Sequence, residues 1–303
     1  MISFIQNIFG KIISLFKRNI LIWIKSSLNK IAFKEKQFHN TEEKRGMNME
    51  EIKALFFDID GTIVEFQSNR IRKEVVQAIS KAHENGYKVG IASSRPLTII
   101  NDIENIWDIP WDGIVAGSGT IVYDQNKEIY KNHSFSKKTL QKIFAIAQEN
   151  DIAMYVCGKE AYFTKWNTFT QWLKKTYHVQ SNTIHPYRGE FVQLLTLLSD
   201  NPNQLRQLYA SLDETRIVKA GLYNSDIFPK SINKCSGIHE LMDLWHFPNQ
   251  AYMCFGDTPG DHDMIIDATI GIAMNSGMEE TKQLADYVCQ DIPEALKHFQ
   301  IIA

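Results

Sequence analysis

Four consecutive apolar residues, Ala54-Leu55-Phe56-Phe57, run straight into two carboxylates, Asp58 and Asp60, and then into Gly61-Thr62. An apolar run this short and this continuous predicts a strand covered on both faces, and hence a parallel sheet with helices on either side. The next segments follow suit. Arg70 to Asn85 places Ile71, Val75, Val76, Ile79 and Ala82 on one helical stripe, ended by Gly86. Tyr87–Ala92 reads as the next strand, Pro96 opens a second helix at a first-turn position, and Gly113–Ala116 is a third strand. Thr120–Tyr123 and Glu128–Tyr130, on either side of Asp124-Gln125-Asn126-Lys127, read as a hairpin.

From about Ser134 to Tyr223 the alternation breaks. The stretch is richer in aromatics and Gln and mixes helix and strand patterns, as an inserted domain does. Tyr252–Phe255 and Gly271–Met274 then resume the buried-strand pattern. The expected class is α/β, a Rossmann-like parallel-sheet core carrying an inserted α/β domain. The expected divisions are an arm and linker over 1–46, core over 50–133, insertion over 134–225 and core again over 226–303.

The chain of 303 residues is 44% hydrophobic and 22% charged, with a net charge of −2. No broad basic excess is available to neutralise phosphates, so a nucleic-acid partner is not expected. The balance hides an asymmetry. Residues 1–46 hold nine Lys/Arg against three Glu, leaving the rest strongly acidic. The apolar stretches of this arm, Ile12–Phe16 and Ile20–Ile24, are far shorter than the roughly 20 residues that span a bilayer. Nor does the arm have the order of a secretory signal. Residues 1–33 read either as an interfacial helix touching an anionic membrane or as an extension before a start at Met47 or Met49. The four cysteines form no Cys-x-x-Cys pair and no zinc-type spacing, which fits reduced thiols in a cytoplasmic protein.

Three of the expected strands end in polar residues: Asp58/Asp60, Ser93/Ser94/Arg95, and Asp257 with Asp261. In an open α/β sheet ligands bind at the carboxyl edge of the strands, so these residues converge there. Asp58 and Asp60 repel unless a cation joins them or one keeps its proton. A calcium loop fails, because Glu65 comes too early and Asn69 stands at the twelfth position. Gly256-Asp257-Thr258-Pro259-Gly260-Asp261 offers two acids four residues apart, suited to a hydrated hard cation, and is equally an ordinary strand-to-helix turn. Ser93 is a hydroxyl suited to a phosphate oxygen or a common cap. Lys234 is a phosphate ligand or a surface charge. Arg95 reaches a phosphate or pairs with a surface carboxylate, and His262 and Asp263 read as helix-surface positions.

Taken in order, these pieces resemble the haloacid dehalogenase superfamily of phosphohydrolases, over roughly Lys53 to the C-terminus. Asp58-Ile59-Asp60-Gly61-Thr62 is similar to the first motif and Ile91-Ala92-Ser93-Ser94-Arg95-Pro96 to the second. Pro229–Gly237, with Lys234, is similar to the third, and Gly256-Asp257 with Asp261 and Met264 to the fourth. The insertion resembles the cap of the Cof-type branch (subfamily IIB, a C2-type cap), with Phe191–Leu195 and Asn224–Ile227 similar to its closing strands and its return to the core.

The resemblance implies a phosphatase for a small phosphorylated metabolite such as a sugar, nucleotide or cofactor. It implies Asp58 as nucleophile, Asp60 as acid and base, and Ser93 and Lys234 as phosphate ligands. Mg2+ would be held by Asp58, the Asp60 carbonyl, Asp257 and Asp261. Ser94, Arg95 and Ser118 fall on the substrate side. Three departures bear on substrate: Gly260 replaces a usual Asn, Ser94 a usual Gly, and Gly117-Ser118-Gly119-Thr120 a usual Ser-Asn-Gly-Ala. A phosphomutase of related cap architecture and a catalytically silent membrane-peripheral protein are the competing readings. Oligomeric state is not legible.

Overall fold

The computed structural model describes residues 51–303 apart from 67, 159, 177–180, 210, 213, 219–222 and the side chains of 176, 206 and 207. The basic arm, with any membrane contact through 1–33, lies outside the described residues. Among the described residues no helix is long and apolar enough to cross a membrane.

Strand β1 (Ala54–Phe57) is buried along its whole length. Its side chains alternate, Leu55 and Phe57 into one cluster and Ala54 and Phe56 into another, so the strand feeds a core on each face. Helix α1 (Lys73–Glu84) covers the first face through Val75, Ala78, Ile79 and Ala82. Strand β2 (Lys88–Ala92) pairs parallel to β1, and β3 (Gly113–Ala116) parallel to β2. Between them α2 (Leu97–Ile100) is a single turn. Pro96 is its N-cap rather than its first turn, with extended backbone at φ −69° and ψ 157°. The hairpin runs over β4 (Ile121–Asp124) and β5 (Ile129–Asn132), both antiparallel.

The chain next builds a second sheet. Helix α3 (Lys137–Glu149) is followed by β6 (Ala153–Gly158), β7 (Ala161–Phe163), α4 (Thr168–Thr176), β8 (Val192–Leu198), α5 (Pro202–Tyr209), β9 (Thr215–Val218) and β10 (Asn224–Pro229). Its strand order is β7-β6-β8-β10-β9, every pair antiparallel. Leu140, Ile143 and Leu205 cover one face. The other face, with Tyr155, Cys157, Leu194 and Phe228, receives Ile99 from α2. The division expected between 225 and 226 falls inside β10. That strand is bonded to both β8 and β9, so the chain leaves this sheet only after Pro229.

Returning, α6 (Lys234–Leu244), β11 (Tyr252–Gly256), α7 (His262–Asp267), β12 (Ile270–Met274), α8 (Glu279–Leu284), β13 (Tyr287–Cys289) and α9 (Ile292–His298) complete the first sheet. Its order is β13-β12-β11-β1-β2-β3-β4-β5, parallel from β13 to β3. Helices α6 and α7 cover the Phe56 face through Ile238, Leu241, Met264 and Ile265, while Ala295 and Leu296 of α9 join α1. The chain leaves β1 toward β2 on one side and comes back to β11 on the other. This is the topological switch point at which open α/β sheets carry their sites.

Candidate active site

Asp58 is the first residue past β1, and its N–H donates to the Phe255 carbonyl at 3.0 Å, carrying the strand pairing one step further. The residue is only 5% exposed. Three residues on, the chain turns sharply at Gly61, where φ is +78°. A Cβ there would stand 2.1 Å from Asp257 Oδ2, so glycine is required both by backbone conformation and by the close pass to β11.

Lys234 opens α6, whose start is fixed by a reciprocal cap. Asn233 Oδ1 accepts from the Ser236 N–H at 2.7 Å, and Ser236 Oγ accepts from the Asn233 N–H at 3.1 Å. The cap aims Lys234 back under the sheet edge. Its Nζ donates to Asp58 Oδ1 at 2.5 Å and to Asp261 Oδ1 at 2.6 Å. Asp261 Oδ2 in turn accepts from the N–H groups of Asp257 and Thr258, each at 3.0 Å, so this carboxylate knits the loop after β11. The loop is further closed by the Met278 N–H on the Asp257 carbonyl at 2.8 Å.

Asp58, Asp257 and Asp261 present carboxylate oxygens within 4.8 Å of one another, all three residues buried. One lysine cannot balance three such carboxylates. Burial pushes Asp58 well above the usual carboxylate range, an effect that Lys234 opposes and the other three acids reinforce. Burial, then Asp261, lifts Asp257 to about 7. Lys234 is held above its ordinary value, because Asp261 and Asp58 outweigh its burial. Asp257 Oδ1 is buried with no hydrogen-bond partner among the described residues. Surplus buried negative charge around an unpartnered oxygen suits an oxygen-liganded divalent cation, so the residues present fit the metal expected from the sequence.

Asp60 stands apart from this cluster and is gripped by Arg95. Nε donates to Oδ2 at 2.8 Å and Nη2 to Oδ1 at 2.6 Å, a fork closing on both carboxylate oxygens. Of the two alternatives drawn from the sequence, Arg95 takes the carboxylate, and that carboxylate is the partly exposed Asp60 of the site. Ser93 is wholly buried, and its Oγ accepts from the Arg95 N–H at 3.1 Å. The Ser93 carbonyl accepts from the Ser118 N–H at 2.9 Å, joining the turns after β2 and β3. Ser118 is 5% exposed and left-handed at φ 52°. Ser94 is partly exposed in the same turn as Ser93. Asp263 Oδ2 accepts from Asn233 Nδ2 at 2.8 Å, so it supports the cap of α6 rather than facing solvent alone.

Two groups escaped the sequence reading. Thr258 Oγ1 reaches Asp261 Oδ2 at 3.3 Å. Tyr155 lies on the face of the second sheet that meets Ile99. Its buried hydroxyl is pushed far above the tyrosine range by burial and then by the neighbouring Cys157, with smaller effects from the Asp102 and Arg95 charges. The only signal available was a hydroxyl within the apolar run Ala153–Cys157.

Residues 55–295 match the family model of haloacid dehalogenase-like hydrolases. The Bacillus subtilis protein YkrA is 24% identical over 247 residues, covering 80% of this chain and 93% of its own. Another B. subtilis relative, named 5-amino-6-(5-phospho-D-ribitylamino)uracil phosphatase YcsE, is 19% identical over 82% of this chain and 96% of its own. Among solved structures, the subclass IIB sugar phosphatase BT4131 superposes with a TM-score of 0.73 at 27% identity, covering 82% of this chain and all of that one. The phosphatase BT1666 from Bacteroides thetaiotaomicron gives 0.74 at 21% identity over 83% and 96%. The chain belongs to the haloacid dehalogenase-like hydrolase family.

Proposed function

We propose that this protein is a Mg2+-dependent phosphatase that hydrolyses a small phosphorylated metabolite through an aspartyl-phosphate on Asp58. The observation that carries the reading is the convergence of Asp58, Lys234, Asp257 and Asp261 at the carboxyl edge of β1 and β11.

An Asp58 oxygen bonds to phosphorus while the bond from phosphorus to the leaving oxygen breaks, and Asp60 gives that oxygen its proton. Water then attacks the same phosphorus, the bond to Asp58 breaks, and the water proton returns to Asp60. Arg95 keeps Asp60 oriented for both transfers. Lys234, now shared between two carboxylates, holds a phosphate oxygen. Ser93 Oγ already accepts from Arg95, which leaves its own proton for a second phosphate oxygen. Asp58, Asp257, Asp261 and the Asp60 carbonyl would hold Mg2+, whose charge offsets the repulsion between carboxylates and phosphate when it is bound.

The cap sheet, through the Tyr155 face, is the surface that selects the organic part of the substrate. Relatives named for a ribityl phosphate and for sugar phosphates support a phosphorylated sugar or polyol as the class to test first. The test is a phosphate-release screen across such compounds with Mg2+, run beside Asp58→Asn. Release by the parent and none by the variant is expected. Equal release by both removes Asp58 from the chemistry.

A further inference from the structure

Cys235 and His239 sit one turn apart on α6 and therefore share a face. Asp267, the last residue of α7, abuts that face. Cys235 Sγ stands 3.6 Å from His239 Nε2, which stands 2.7 Å from Asp267 Oδ2. The three ligand atoms lie within 4.8 Å of one another. We infer that Cys235, His239 and Asp267 form a second metal site, separate from the aspartate cluster, for a borderline divalent cation of the zinc type.

The donor set selects the ion. A thiolate, an imidazole and one carboxylate suit zinc, whereas Mg2+ takes oxygen ligands in an octahedron. The geometry is close to what the ion needs. With a Zn–S bond of about 2.3 Å and a Zn–N bond of about 2.1 Å, tetrahedral ligation separates sulfur from nitrogen by about 3.6 Å. Cys235 and His239 already stand at that separation. His239 and Asp267 must part by about 0.7 Å from their hydrogen-bonded contact. An ion pair accounts for His239 and Asp267, and Cys235 Sγ adds a third donor that stands nearer His239 Nε2, at 3.6 Å, than its other neighbour, the Tyr252 hydroxyl at 3.9 Å.

Outer partners that fix a ligating carboxylate are in place. The Tyr252 hydroxyl stands 3.1 Å from Asp267 Oδ2, and Gln250 Nε2 stands 3.5 Å from Oδ1. The side chains of His239 and Asp267 are 28% and 24% exposed, so a hydrated ion reaches them and keeps one water as its fourth ligand. On ligation the thiol proton passes to solvent. The ion would clamp α6 to α7. Those helices begin at Lys234 and directly after Asp261, the pair held at 2.6 Å in the active site.

Cobalt(II), added to the purified full-length chain, separates the two sites. A thiolate ligand gives a sulfur-to-cobalt charge-transfer absorption in the near ultraviolet, and the all-oxygen aspartate cluster gives none. With Mg2+ in excess to occupy the aspartate cluster, the expected result is a band that saturates at one equivalent, survives Asp58→Asn and is bleached by zinc. It should vanish in Cys235→Ser. In His239→Gln the affinity should fall by at least about tenfold, the scale of losing an outer-shell partner alone. No band in the parent, or an unchanged band in either Cys235→Ser or His239→Gln, overturns the site.

Discussion

Arg95 holds Asp60 by both carboxylate oxygens, through Nε at 2.8 Å and Nη2 at 2.6 Å, across 35 positions of sequence. The pair joins the turn after β2 to the turn after β1, so the group assigned to proton transfer is oriented from a neighbouring strand. A lysine could supply the charge but not the fork. Arg95→Ala should lower kcat by roughly 10²-fold, the scale of a misplaced catalytic group. Arg95→Lys should recover only part of it. Steady-state kinetics of both variants check this, and an unchanged kcat in Arg95→Ala contradicts it.

Asp60→Asn should slow turnover by about 10²- to 10⁴-fold, the usual worth of a positioned acid or base. Proton donation matters least for a good leaving group, so an aryl phosphate should lose less than an alkyl phosphate. Comparing the two substrates in parent and variant tests the role.

Asp257 fixes a pH dependence for the metal-free protein. Its carboxyl rises from 3.8 to about 7, so the folded state binds more protons than the unfolded state between those values. The contribution of Asp257 to stability is therefore full below the lower value and is lost as pH rises through the upper one. Chemical denaturation in EDTA should show this decline, and Asp257→Asn should lessen it, leaving the part that the raised Asp58 carboxyl contributes. Mg2+ at pH 8 should restore stability to the parent and less to the variant.

Gly61→Ala should destabilise the fold by about 1–3 kcal/mol, the range for a non-glycine residue forced into an unfavourable backbone region. The added methyl also meets Asp257 Oδ2. Activity should fall with stability, and a thermal melt beside a rate measurement detects both.

Much of this was legible before the fold was known. The run Ala54–Phe57 announced a strand buried on both faces, and the polar residues ending three strands marked one edge. Other relationships were not. Arg95 can reach in many directions, and only the β1–β2 pairing brings Asp60 under its fork. Asn224–Ile227 resembles the end of the insertion and its return to the core without saying where one gives way to the other; hydrogen bonds to β8 and β9 keep the chain in the second sheet through Pro229. Counting cysteine spacings likewise missed the Cys235 cluster. Its third member, Asp267, arrives from another helix.

The most direct measurement asks where the phosphate goes. Asp60→Asn protein, mixed with Mg2+ and an aryl phosphate and then quenched in acid, should carry one phosphoryl group on the peptide containing Asp58. Borohydride reduction should convert that residue to homoserine, read by mass spectrometry. A phosphoryl group on another residue, or parent-level phosphate release from Asp58→Asn, would contradict the account.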